Sequence, residues 1–76
     1  MIDLTDPAVA KLVSVLGREK ATIVLDDCMQ KAGIREIASS DDRYRLGCEL
    51  ISRGGLLEAI GRAIKIQAIL HGARET

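Results

Sequence analysis

The sequence predicts an all-α domain: a small four-helix unit with short connectors, dimerising through its C-terminal helix. Three observations lead there. Apolar residues recur at helical spacing in four separate segments. Glycines stand where those segments end, at Gly17, Gly33, Gly54-Gly55 and Gly72. No segment alternates apolar and polar residues as a strand does. The 76 residues suit a single helical domain over 1–76. Surface scaling gives such a chain roughly 12,000 Å² unfolded and roughly 4,500 Å² folded, which is marginal burial for a lone domain.

In the first helix, Thr5 is a candidate N-cap, Asp6 complements the dipole and Pro7 fits the first turn. Leu4 is placed to staple onto Val9. Val9, Leu12, Val13 and Leu16 then fall at i, i+3, i+4 and i+7, and Gly17 ends the helix. The second helix runs from about Arg18 to Ala32, with Ala21, Val24, Leu25, Cys28, Met29 and Ala32 on one stripe. Gly33 suits a left-handed ending, with Ile34 folding back onto Met29.

Residues 34–40 form a connector in which Ile34 and Ile37 tuck onto the core. Ser39 or Ser40 caps the third helix, with Asp41 and Asp42 in its first turn. Tyr44, Gly47, Cys48 and Ile51, flanked by Leu46 and Leu50, are its expected apolar side. Asp41, Arg45 and Glu49 form a solvated ladder. Gly54-Gly55 makes a tight corner, because two glycines inside a helix would cost about 2 kcal/mol.

The fourth helix, from about Leu56 to His71, is the informative one. Placed on a wheel, its charged residues Glu58, Arg62 and Lys65 occupy a narrow sector of about 60°. A helix apolar nearly all round must be covered nearly all round, and the short preceding helices offer little to cover it. A second copy supplies the missing surface. The expected interface residues are Leu56, Ile60, Ala63, Ile64, Gln67 and Leu70, with Ile23 on the polar side of the second helix as a further contact. Gln67 either sets register at that interface or, like His71, reaches water from the last turn.

Other chemistries lack their residues. Eleven basic and eleven acidic residues leave no net charge, and neither half of the chain is polarised, which disfavours a nucleic-acid partner. Tyr44 is the sole aromatic residue, so stacking platforms are missing. Cys28 and Cys48 have neither metal-ligand nor disulfide-framework spacing and read as buried, protonated thiols in a reducing cytoplasm. The acidic start of the chain is not a signal peptide, and no apolar run reaches membrane-spanning length. One histidine near the end supports no nucleophile–base pair, so no enzyme, metal or cofactor is expected.

The expected role is a non-catalytic, cytoplasmic protein–protein interaction module: a small adaptor, scaffold or regulatory subunit that forms a homodimer and meets a further protein partner. The alternative is a helix-turn-helix-like DNA-binding regulator using helices 41–53 and 56–71, with Arg43, Arg45 and Arg53 on phosphates. Against it, the would-be recognition helix is the most apolar in the chain.

Overall fold

Helices α1 (Pro7–Leu16), α2 (Arg18–Ala32), α3 (Ser40–Ser52) and α4 (Gly55–Leu70) follow one another with no strand among the described residues. The structure is a computed structural model describing residues 6–73. Each helix lies within a residue or two of its expected bounds. The proposed Leu4 staple and Thr5 cap fall outside the described residues.

The N-cap of α1 is Asp6. One carboxylate oxygen accepts the backbone N–H of Ala8 at 2.9 Å and of Val9 at 3.4 Å. The other accepts Nε and Nη2 of Arg43 from α3, at 3.1 and 2.9 Å. Asp6 is only 7% exposed. One side chain thus satisfies the start of α1 and ties it to α3. Asp6→Ala is expected to cost about 2 kcal/mol, because it removes a cap and strands a half-buried guanidinium. Asp6→Asn should cost less, since asparagine also caps. Urea denaturation of both variants, alone and with Arg43→Met, checks this: the Arg43 change should add little once Asp6 is gone.

A single residue, Gly17, joins α1 to α2, and its φ of 84° is the reason glycine stands there. At the end of α2 Gly33 is left-handed, and the N–H of Ile34 reaches back to the carbonyl of Met29 at 2.8 Å. Ile34 is buried there as expected. Ser39 caps α3, accepting the N–H of Asp42 at 3.2 Å, while the Asp42 carboxylate accepts the N–H of Ala38 at 3.0 Å.

Gly54 and Gly55, with φ of 73° and 59°, turn the chain so that α3 and α4 form an antiparallel hairpin. This is the most extensive helix pairing in the molecule. At its crossing Gly47 and Gly61 face each other. A Cβ on Gly61 would lie 2.6 Å from the Gly47 carbonyl oxygen, and one on Gly47 would lie 2.8 Å from the Gly61 oxygen. Farther along, the Ser40 hydroxyl donates to the His71 carbonyl at 3.0 Å, and Lys65 Nζ sits 5.3 Å from the Tyr44 ring centre.

The core gathers Val9 and Leu12 from α1, Ala21, Leu25 and Cys28 from α2, Leu46 and Leu50 from α3, and Ile60 and Ile64 from α4. Helix α3 therefore buries Leu46, Gly47 and Leu50, not a face centred on Tyr44 and Cys48. Cys48 is exposed, which corrects the expectation of two buried thiols. Leu46 and Leu50 are fully buried, and Arg43, on the same side of α3, is paired with Asp6.

Candidate interaction surface

Among the described residues, helix α4 is held from one side only. Ile60, Gly61, Ile64 and Ala68 turn inward. At 100° per residue Gly61, in contact with α3, points about 180° away from Leu70. On that far side Leu56, Ala59, Ile66, Gln67 and Leu70 are exposed and Ala63 is half-buried. The three large residues are among the most open apolar side chains described: Leu56 is 59% exposed, Ile66 58% and Leu70 77%.

The expected interface set divides accordingly. Leu56, Ala63, Gln67 and Leu70 lie toward the open side. Ile60 and Ile64 do not: they are 4% and 1% exposed and belong to the chain's own core. Ala59 and Ile66, outside the expected set, also lie on the open side, about 60° from the centre of that set on the wheel. With these two restored, Leu56, Ala59, Ala63, Ile66 and Leu70 follow one another at spacings of 3, 4, 3 and 4. That is the a/d pattern of a helix seam that meets another helix. The edges of the stripe are quiet. Arg62 is paired with Glu58 at 2.6 Å one turn away, and Gln67 carries no charge. Ile23, the further contact expected on α2, is 67% exposed.

The other polar clusters are occupied with holding the helices together. Arg53 of α3 meets Asp27 of α2 at 2.6 Å and Glu49 at 3.6 Å. Arg45 donates to the Ala32 carbonyl and lies 4.0 Å from Asp42. Arg43 is engaged by Asp6. The three arginines of the DNA-binding alternative are thus all paired within the chain. A shallow groove of about 560 Å³ between α3 and the end of α2 is lined by Ala32, Tyr44, Arg45, Cys48 and Ser52, among others. His71, the single histidine, is not part of it. Among the described residues no group of three or more His, Cys, Asp or Glu side chains could hold a metal ion, and no helix is long and apolar enough to cross a membrane.

The two thiols differ in environment. Burial pushes the Cys28 thiol above its ordinary range; Arg53 opposes this shift, and Glu49 and Asp27 add to it. The thiolate is disfavoured in the folded chain, so the unfolded chain loses this proton first. Stability from this group is full below the ordinary thiol range and declines as pH rises through it. A thiol-specific reagent at neutral pH should modify Cys48 quickly and Cys28 only after denaturation. Equal rates at both positions in the folded protein would contradict the burial of Cys28.

No protein-family model, curated protein or solved structure matches this chain.

Proposed function

We propose that this protein is a small non-catalytic interaction module that self-associates through the open face of α4. One observation carries the reading: a 3-4-3-4 stripe of apolar residues with large members more than half exposed, on a helix whose opposite side is packed tightly into the core. Isolated exposed leucines are ordinary, but a contiguous stripe along four turns is a recognition feature. A second helix is the partner that such spacing suits. The adaptor or regulatory role and the cytoplasmic setting belong to this same proposal. The DNA-binding alternative gains no support, because its arginines meet carboxylates and the exposed face of its recognition helix is apolar.

Sedimentation equilibrium across a hundredfold range of concentration tests the reading. The expected result is a mass that climbs from 8.2 kDa toward twice that value, with thermal stability rising alongside. A constant 8.2 kDa at the highest concentration would overturn it.

A further inference from the structure

We infer that α1 is an exchangeable arm: the groove beneath it accepts the α1 of a second copy, and Gly17 decides between the closed chain and the exchanged pair. The inference does not rest on association through α4. It concerns a groove whose occupant is visible, because α1 itself sits there and a second copy carries the identical segment.

The joint is one residue long. Gly17 has φ 84° and ψ 160°, a conformation essentially confined to glycine. Helical bonds run up to it and away from it. Its N–H donates to the Val13 carbonyl at 2.8 Å, and its carbonyl accepts the N–H of Ala21 at 3.0 Å. Between these bonds, Arg18, Glu19 and Lys20 begin α2 with no side-chain cap. Were Gly17 helical, their N–H groups would meet the carbonyls of Ser14, Val15 and Leu16, four residues back. Helices α1 and α2 would then fuse into one helix over 7–32, about 39 Å long.

Such a helix cannot serve one core. At 100° per residue, the buried residues of α1 (Ala8, Val9 and Leu12) would face about 180° away from those of α2 (Ala21, Leu25 and Cys28). With α2 in place, the apolar side of α1 would be turned outward, and the space that Val9 and Leu12 fill in the core would be vacated. A second copy in the same state has the same two deficits, and reciprocal exchange meets both. The pair between Asp6 and Arg43 fixes how the arm seats, since it ties the tip of α1 to α3. In the exchanged pair that bond would run between copies.

Gly17→Ala tests this. A methyl there meets nothing within 4 Å, so only the backbone conformation opposes it. The change is made in an Ile66→Asp background, which places a charge on the open stripe of α4. Ile66→Asp alone should be a folded chain of 8.2 kDa, and the double variant a folded pair of twice that mass. Two further chains identify the exchanged element. Asp6→Arg and Arg43→Asp, each added to the double variant, set like charges against each other within a copy. Exchange of arms between these two chains restores opposite charges at both junctions. On mixing, the heterodimer should exceed either homodimer at least tenfold by native mass spectrometry. Association without exchange would leave both pairs broken and give the statistical mixture. That mixture, or a folded monomer for the double variant, overturns the inference. So does an unfolded double variant, because exchange would have restored the contacts of α1. A dimeric Ile66→Asp chain would count against the α4 seam alone, and the mixing experiment would still decide exchange.

Discussion

Gly61→Ala is expected to destabilise the domain by about 2 kcal/mol, although alanine is the better helix former. Propensity alone would make the change favourable by about 1 kcal/mol. The opposing term is steric. The new methyl would meet the Gly47 carbonyl oxygen at 2.6 Å, the Leu50 Cβ at 2.8 Å and the Ile51 backbone nitrogen at 2.9 Å. None of these is the free end of a flexible side chain, so α3 and α4 must move apart. Overpacking of this kind costs about 1–3 kcal/mol, and the rigidity of all three neighbours puts this site at or above the upper end. The hairpin carries the largest share of helix contact in the molecule, so the separation also loosens Leu50, Ile60 and Ile64. In a domain of this size the melting midpoint should fall by roughly 8–16 °C. Gly47→Ala should act in the same direction, with Gly61 O at 2.8 Å and Lys65 N at 3.1 Å. Ala10→Gly, at an exposed position inside α1, isolates the propensity term and should cost only about 1 kcal/mol. Thermal melts followed by circular dichroism check all three. A midpoint for Gly61→Ala at or above that of the parent protein would refute the close crossing.

The contrast between those glycines and the others shows where a sequence is legible. Gly17, Gly33 and Gly54-Gly55 sit at ends of periodic segments, and local backbone rules suffice to place them. Gly47 and Gly61 lie inside helices, where glycine is locally unfavourable, and each is explained only by the other. Nothing local links two residues fourteen apart on different helices. The same division runs through the polar residues. Asp6 was legible as a complement to the dipole of α1, but its bond to Arg43, thirty-seven residues away, was not. Arg43 lies on the same side of α3 as the buried Leu46 and Leu50, and Cys48 lies outside. On α4 the breadth of the apolar surface was readable. Which half of it serves the chain's own core depended on where Gly61 meets α3. The expected face of α4 therefore included Ile60 and Ile64, which belong to the chain's own core.

Two isoleucines two positions apart on that helix are expected to respond in opposite ways to the same substitution. Ile64 is 1% exposed in the core, and Ile66 is 58% exposed on the open stripe. Ile64→Asp deletes a buried aliphatic side chain, at about 2–5 kcal/mol, and leaves a carboxylate without a partner in its place, at several kcal/mol more. A 76-residue domain has on the order of 4–11 kcal/mol of total stability, so this chain should be unfolded or nearly so at 25 °C. Ile66→Asp removes no core contact, and its charge stays in water in the single chain. Its effect on the monomer should stay within about 0.5 kcal/mol. In the pair, by contrast, it would place two carboxylates, one from each copy, in an apolar seam. Association should weaken at least a hundredfold, with the helical circular dichroism signal retained and the mass held at 8.2 kDa. The two variants together separate a face that folds the chain from a face that joins copies of it. An unfolded Ile66→Asp chain would mean that the stripe belongs to the chain's own core. A folded Ile66→Asp chain that still associates as the parent does would place the contact elsewhere on the surface.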